Sequence, residues 1–391
     1  MIVKLEQIFG ANAERSRGHN RQLVLGQVRR AGRVGRAEIA RASGLSTQAV
    51  SNIIGELERE GLLVEQGKSS GGRGLPAIQY AINPAGGFAF GVEIRPRVVF
   101  AVMLDLLGRT VFSHRCTLNG GDPVAATAKV LALRDLALAD TGVPDERILG
   151  AGVVMPGPFG TTALGDGATE LAGWQGIDMA AWFTDAFGRP AHVENDANAA
   201  AMAEHVSGVA RGMGDFAFLY FGTGLGLGLV SGGRLVRGAF GNAGEIGHVA
   251  VPGHDGAVLL EQAVSRLSLQ RHLAHHGIDA PDSAALSHLY GAGNAPLRAW
   301  LDNAGLPLAH AIALIENLLD PQCIVLGGAM PDEMIDHLIA AVRLPVRSVA
   351  NRPVRAHPRV LRGASGRMTA ALGAAALVIN DTFTPQLAAA V

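Results

Sequence analysis

One group of polar residues has the types and spacing to bind a hydroxylated ligand. Glu194-Asn195-Asp196 follows Ala191-His192-Val193, which we expect to form a strand, and leads into an alanine-rich helix. A carboxylate and an amide at the end of a strand lie where an open α/β sheet binds ligands, and both can make paired hydrogen bonds to hydroxyls. Simple capping of the helix by Asn195 or Asp196 is an alternative.

A glycine-rich segment has the composition of a phosphate-binding turn. Residues 216–221 predict a strand, and Gly222-Thr223-Gly224-Leu225-Gly226-Leu227-Gly228 follows it. A dinucleotide-binding turn requires a helix next, whereas residues 229–233 indicate a strand and a turn. We therefore predict a hairpin whose backbone amides suit a phosphate. Two further polar or glycine-rich motifs follow, GNAGEIGH with Glu245 and His248 three residues apart, and a strand ending in Gly327-Gly328.

Short polar residues mark a possible recognition helix near the start of the chain. Residues 20–63 read as three helices, with Gly44 at a tight break before the third, where a left-handed conformation suits glycine. Ser46 can cap the third helix. The face opposite its apolar stripe begins with four short polar residues, Thr47, Gln48, Ser51 and Asn52. Such groups in the first turns can enter the major groove and contact bases or phosphates. An ordinary helical hairpin is the alternative.

The segment after the third helix predicts a wing. A strand begins near Leu62, the tip GKSSGGRGLP carries Lys68 and Arg73, and a second strand returns through residues 77–80. Glycines allow such a tip to lie against DNA, and a basic side chain there meets phosphate or a narrow minor groove. The same residues could instead form only an interdomain linker.

Composition supports a basic head on an acidic body. Residues 1–80 hold 12 Lys and Arg against 7 Asp and Glu, a net charge of +5, whereas the remainder carries −6. This asymmetry is typical of a nucleic-acid module joined to another domain. With 48% hydrophobic residues among 391, a disordered chain is excluded. Two cysteines exclude a disulfide scaffold, no apolar run predicts a membrane helix, and the first residues lack the apolar core of a signal peptide. We expect a cytoplasmic protein.

Four motifs in order resemble the ROK family (repressors, open reading frames and sugar kinases). They are VENDANAAA, FGTGLGLG, GNAGEIGHV and IVLGG, and the likeness covers the chain from about residue 18. The segment RAEIARASGLSTQAVSNIIGELEREGLLVE resembles the winged helix–turn–helix of ROK repressors that sense xylose, N-acetylglucosamine and similar sugars. The resemblance implies an α/β fold, with the winged helix–turn–helix followed by an actin-like, two-lobed sugar-kinase domain assembled as dimers or tetramers.

The resemblance also implies roles for particular residues. Those matching sugar contacts are Asn195, Asp196, Glu245, His248 and Glu261, and Asp196 matches the catalytic base of the kinases. Those matching the nucleotide site are Gly222, Thr223, Gly224 and Gly226 in the phosphate loop and Gly327 and Gly328 on the adenosine side.

The chain departs from the kinase pattern at the first phosphate hairpin. ROK kinases carry an Asp-x-Gly-Gly-Thr hairpin whose amides hold the ATP phosphates, whereas this chain has Glu93-Ile94-Arg95-Pro96-Arg97. Pro96 has no amide to donate, and phosphoryl transfer depends on positioning and charge stabilisation. We therefore expect that the body binds a sugar and is not an enzyme, leaving Asp196 as a vestigial base. Arg95 and Arg97 could alternatively hold a phosphorylated ligand by their side chains.

A second departure concerns zinc. The family usually carries a C-x-C-G-x-x-G-C motif after its GH motif, and this chain passes from His248 to Glu261 without a cysteine. Because three thiolate ligands are missing, we expect no family zinc site, no other metal and no cofactor. Four nearby histidines could be substitute ligands, although a surface cluster is the simpler interpretation: His254, His272, His275 and His276.

These features favour a DNA-binding transcriptional regulator, expected to be a repressor, whose kinase-like body binds a sugar or sugar derivative without phosphorylating it. The alternatives are an active ATP-dependent sugar kinase with an appended DNA-binding head and a dimerisation scaffold without ligand. The expected partners are double-stranded operator DNA, a small-molecule sugar and further copies of the chain in a homodimer or homotetramer, with no membrane.

The predicted domain boundaries follow the change in composition. We expect a head with its wing or linker over residues 1–82 and a body over 83–391. Within the body, lobe one would comprise residues 86–199 with a C-terminal helix at about 366–380, and lobe two residues 200–365.

Overall fold

A computed structural model gives the structure of the chain. It describes residues 13–69, 77–118, 120, 122–155, 172–174, 176–253, 256–346, 348–364, 366 and 368–384.

The head contains three helices and a three-stranded sheet. Its elements are α1 (Ala13–Ala31), β1 (Val34–Gly35), α2 (Arg36–Ser43), α3 (Thr47–Arg59), β2 (Leu63–Ser69) and β3 (Ala77–Ile82). Gly44 closes α2 with φ of 71°, the left-handed conformation that the sequence predicts for the corner. The strands lie in the order β1-β3-β2 and are antiparallel, which confirms that a strand pair follows α3. The first helix begins at Ala13, before residue 20, where the sequence predicts the helical segment to start.

The first sheet of the body is mixed. It is built from β4 (Phe88–Arg95), β5 (Val98–Asp105), β6 (Thr110–Thr117), β7 (Ile148–Val154) and β8 (Ala191–Glu194), with α4 (Pro123–Thr141) and α5 (Met179–Phe187) between strands. The strand order is β6-β5-β4-β7-β8, with β4 to β6 antiparallel and β4, β7 and β8 parallel. The parallel strands β7 and β8 therefore end at the same edge.

The second sheet has the order β11-β10-β9-β14-β15. The helix α6 (Asp196–Val206) leads to the strands β9 (Phe216–Phe221), β10 (Leu225–Ser231) and β11 (Arg234–Leu235). A hairpin of β12 (Ala250–Gly253) and β13 (Gly256–Leu259) follows, then α7 (Leu260–Ala263), α8 (Arg266–His275), α9 (Ser283–Gly291), α10 (Ala295–Leu319), β14 (Cys323–Gly328), α11 (Asp332–Ala341), β15 (Val360–Arg362) and α12 (Thr369–Phe383). Because β9 and β10 are antiparallel, the glycine segment joins them as a hairpin, as predicted.

Two helices join the sheets. The helix α6 packs against β9 and β10, and α12 packs against β4 and β7. Where the two helices cross, a Cβ on Gly373 would lie 1.7 Å from the carbonyl oxygen of Ala199, so only glycine fits. The proposed division at residues 199 and 200 falls inside α6, and the C-terminal helix occupies Thr369–Phe383.

The head packs directly on the body. The side-chain amide of Gln22 on α1 donates to the carbonyl oxygen of Asp381 at 2.8 Å, and the Arg29 guanidinium lies 4.6 Å from the centre of the Phe383 ring. In addition, Arg147 donates to the carbonyl oxygens of Glu60 and Gly86 at 2.9 and 3.1 Å. These contacts attach the helices of the head to α12 and to the segment entering β7. In the described part of the chain, no helix has the length and apolar character to cross a membrane.

Candidate functional site

The N-terminal turns of α3 present an exposed polar face. Thr47, Gln48 and Asn52 are exposed and Ser51 is half-buried, while Val50, Ile53, Ile54 and Leu57 form the buried stripe. The Ser46 hydroxyl oxygen caps α3 by accepting from the Ala49 amide at 3.2 Å. The Gln48 amide donates to the Asn52 side-chain oxygen at 3.0 Å. These residues form one surface, and their contacts to DNA stay a prediction.

The strand pair that follows α3 carries one of the predicted basic contacts. Lys68 lies near the end of β2, paired with Ile78, and its side chain is exposed. Arg73 belongs to residues 70–76, outside the described residues.

A pocket of about 350 Å³ lies in the body. Its walls come from β4, the end of β7, the start of α6, the β9–β10 turn, the loop before the β12–β13 hairpin, and the helices α7 and α8 that follow it. All five predicted sugar contacts and the four predicted phosphate-loop residues line it, namely Asn195, Asp196, Glu245, His248 and Glu261 with Gly222, Thr223, Gly224 and Gly226.

Asn195 both caps α6 and lines the pocket. Its side-chain oxygen accepts from the backbone amide of Asn198 at 2.8 Å, so this oxygen is used in capping the helix. The side-chain nitrogen of Asn195 is not used in the cap and can donate to a ligand. Asp196 is the first residue of α6, and its Oδ1 accepts from the Ala197 amide at 2.9 Å. A Cβ on Gly222 would lie 3.1 Å from Asp196 Oδ2. The glycine therefore allows the turn to approach the carboxylate closely.

The remaining predicted sugar contacts come from the residues 245–261. Glu245 Oε2 is 3.9 Å from His248 Nε2, across the short 3-10 helix 246–248. Glu261 lies on α7, and a Cβ on Gly224 would be 3.3 Å from its Oε2. The pocket thus combines hydrogen-bond acceptors from several separate segments, which is an arrangement suited to a polyol.

Burial raises the pKa values of two carboxyl groups in the pocket. Burial raises the pKa of Asp196 to about 6, although its hydrogen bond from Ala197 and the nearby Arg95 oppose the rise. Burial likewise raises the pKa of Glu93 to about 7 against the opposing charge of Arg95. Glu93 Oε2 is buried without a hydrogen-bond partner. Such shifts are typical of functional pockets.

The hairpin between β4 and β5 places its two arginines differently. Arg95 lines the pocket and is bound to Glu93 Oε1 through its Nε at 2.6 Å and its Nη2 at 2.5 Å. Its guanidinium also lies 5.3 Å from the Phe100 ring centre. Arg97 is exposed at the turn. Of the two side chains proposed to grip a phosphate, the structure therefore brings only Arg95 into the pocket.

The sequence-based prediction did not include Arg266 or Tyr220, which also line the pocket. Arg266 begins α8 directly after the capping residue Ser265, and Tyr220 is the penultimate residue of β9. A serine cap followed by an arginine, shortly after Glu261, is the signal that could have placed Arg266 there.

The predicted adenosine-side glycines lie beside the pocket. Gly327 and Gly328 end β14 in register with Tyr220 and Phe221, and do not line the cavity, whereas the following Ala329 does. Their predicted role in nucleotide binding stays a prediction.

An ion pair connects the segment before α6 to a segment distant in sequence. Arg237 Nε donates to Glu194 Oε2 at 2.7 Å, while Glu194 Oε1 accepts from the Asn198 amide group at 2.8 Å. The Glu194 side chain is buried. The segment after β11 therefore contacts the end of β8 next to Asn195.

No metal-binding cluster of three or more suitable side chains occurs among the described residues. The rings of His272 and His276 lie 4.7 Å apart. His254 is outside the described residues.

Comparison with known proteins identifies the family. The ROK family model matches residues 101–381. The chain belongs to the ROK family. A model for a winged helix-turn-helix DNA-binding module matches residues 19–64 of this ROK protein, in agreement with the head described above.

Similar proteins fall into two groups. The xylose repressor of Bacillus spizizenii is 25% identical over 371 residues, covering 92% of this chain and 95% of the relative. The glucokinase of Halalkalibacterium halodurans is 30% identical over 314 residues, covering 74% of this chain and 92% of the relative. The crystal structure of a ROK family transcriptional regulator, described as a homologue of the E. coli MLC protein, has a TM-score of 0.72 at 19% identity. It covers 94% of this chain and 98% of that chain, and shows the same fold.

Proposed function

We propose that this ROK protein is a transcriptional repressor whose pocket binds a sugar or sugar derivative as effector and does not phosphorylate it. The observation that carries the proposal is the exposed polar face of α3 on a head packed against the ligand-binding body. The likeness to a xylose repressor extends over head and body, whereas the likeness to a glucokinase covers 74% of the chain.

The acidic and amide groups provide the contacts for the effector. The carboxylates of Asp196, Glu245 and Glu261 accept from sugar hydroxyls, and the Asn195 amide nitrogen donates to them. Because these groups come from separate segments, a ligand that contacts all of them favours one relative arrangement of those segments. A ligand changes DNA binding only by its difference in affinity for two arrangements.

The path from pocket to head runs through the helices described above. Asp196 begins α6, which packs on α12, and α12 contacts Gln22 and Arg29 of the head. A shift of α6 on ligand binding would therefore be transmitted to α1, changing the separation of the two heads in a dimer. We include in the proposal a homodimer or homotetramer in the cytoplasm, and domains of residues 1–82 and 83–391.

The absence of phosphoryl transfer is proposed from the β4–β5 hairpin. Arg95 pairs with Glu93 in the pocket, and the following Pro96 has no amide to donate. These groups replace the amide cradle on which ATP phosphates would depend.

Fluorescence anisotropy on DNA from upstream of the gene, with a panel of sugars and sugar phosphates, tests the function. We expect specific binding that one compound releases. Asp196→Ala should bind DNA normally and lose the response to that compound, whereas the exposed control Asp140→Ala should keep it. A normal response of the Asp196 variant would show that the effector binds elsewhere.

An active sugar kinase is the second candidate, because Asp196 and the glycine turn both line the pocket and a glucokinase is among the similar proteins. ATP consumption measured with the same sugar panel distinguishes it. Turnover above background that disappears in Asp196→Ala would establish the kinase and contradict the proposed loss of catalysis.

A further inference from the structure

Arg266 is a pocket residue whose charge is not balanced by an ion pair. Its side chain lines the cavity from the first turn of α8. Its Nε is buried and donates no hydrogen bond, and the ion pairs formed within the described ranges do not include it. Arg266 as a whole is half-buried, but its Nε–H lacks both water and an acceptor, which is costly because burial removes the water and provides no other hydrogen bond.

A second guanidinium increases this imbalance. Burial lowers the pKa of Arg266, and the positive charge of Arg95 lowers it further, against smaller opposing effects of Tyr220 and Asp282. Arg95 is compensated by its ion pair with Glu93. Arg266 is therefore the cation in this part of the pocket that is available to a ligand.

The backbone places Arg266 next to the predicted sugar contacts. The Leu267 amide on α8 donates to the Thr223 carbonyl at 3.1 Å, which ties the first turn of α8 to the β9–β10 turn. The same turn approaches Asp196 through Gly222 and Glu261 through Gly224. A ligand whose hydroxyls contact these carboxylates would thus have one end close to Arg266.

We propose that the effector carries an anionic group, a phosphate or a carboxylate, that Arg266 binds with support from Arg95. The proposal rests on the proposed function and specifies the class of its ligand. Carboxylates and phosphates match the planar donor fork of arginine, whereas a neutral sugar would leave the Arg266 charge without a partner. The neighbouring acceptors of Asp196 and Glu261 would still bind the hydroxyls of the same molecule.

Thermal unfolding in inorganic phosphate tests the anion site without knowledge of the sugar. Millimolar phosphate should raise the Tm of the full-length protein relative to chloride at equal ionic strength. Arg266→Gln should lose this protection. Arg271→Gln is the matched control, since Arg271 lies on the same helix but is exposed and lines a different groove. Equal protection of the Arg266 and Arg271 variants would overturn the proposal.

Matched effectors in the DNA-release assay separate this inference from the proposed function. Each aldose is compared with its 6-phosphate and its uronic acid, and a charged member should act at roughly ten- to a hundredfold lower concentration than the neutral sugar. In Arg266→Gln the charged and neutral forms should become similar. If the neutral sugar is as potent as both charged forms on the unmodified protein, the proposed anion site is contradicted, whereas the proposed repressor function is still supported. Phosphate protection lost in Arg266→Gln, with no effector releasing DNA, would support the anion site and contradict the proposed function.

Discussion

Replacing Asp196 with asparagine should stabilise the protein while removing its response to effector. The substitution Asp196→Asn keeps an oxygen that can accept from the Ala197 amide and removes a carboxylate that burial disfavours. Burial raises the pKa of this carboxyl from 3.8 to about 6. In the window between these values the folded protein binds more protons than the unfolded chain, so stability falls as the pH rises through it. Above the folded pKa the full penalty is present.

The pKa rise sets the size of the effect. It corresponds to about 3 kcal/mol as an upper limit at 1.36 kcal/mol per pKa unit. Because the carboxylate borders a pocket open to water, screening reduces the penalty, and we expect Asp196→Asn to gain about 1–2 kcal/mol at pH 8. At pH 5 the native carboxyl is mostly protonated, and the gain should shrink by about half.

Urea unfolding followed by tryptophan fluorescence at pH 5 and pH 8 measures this difference, with the free energy of unfolding taken from the midpoint and slope. Trp174 is buried and Trp182 is in ring contact with it, so the body contains its own probe. Asp178→Asn is the control, because Asp178 is an exposed cap of α5 and asparagine caps about as well. A loss of stability at pH 8, or a gain that does not change with pH, would refute the reasoning.

Three further predictions concern backbone fit and DNA contacts. Gly373→Ala should prevent folding or lower the free energy of unfolding by several kcal/mol, because the new Cβ would overlap a carbonyl oxygen of α6. Gly18→Ala, in open space on α1, should instead raise the free energy of unfolding by about 0.5–1 kcal/mol. Soluble yield and Tm measure both effects. Gly44→Ala should cost about 1–2 kcal/mol, since φ is 71° and no atom crowds the position, and Gly44→Asn should cost less in the same thermal assay. In DNA titrations over a range of salt, Lys68→Ala should lower the slope of log affinity against log salt by about 1. Gln48→Ala should alter base preference with the slope unchanged; equal slopes for both variants would argue against the wing contact.

The local elements were predictable because short-range chemistry determines them. The corner at Gly44 and the cap at Ser46 follow from residue type, and the apolar stripe of α3 follows from helical periodicity. The β9–β10 hairpin follows from a glycine turn continued by a strand rather than a helix. These features, with the family motifs, also led to a single pocket lined by all five predicted sugar contacts. Their binding roles stay predictions.

The tertiary structure decided features that depend on surfaces distant in sequence. The sequence indicated neither the close crossing of α6 and α12 nor the packing of α1 on α12, because both depend on which small residues face each other after folding. Local periodicity also placed the start of α1 too late.

The two arginines of the β4–β5 hairpin illustrate the same division. The sequence by itself determined that Pro96 cannot donate an amide and that arginines flank it. It did not determine that Arg95 turns into the pocket, that Arg97 stays exposed, or that Arg266 joins Arg95 from α8. Composition and turn chemistry act over a few residues, whereas the charge balance of a pocket depends on segments that only packing brings together.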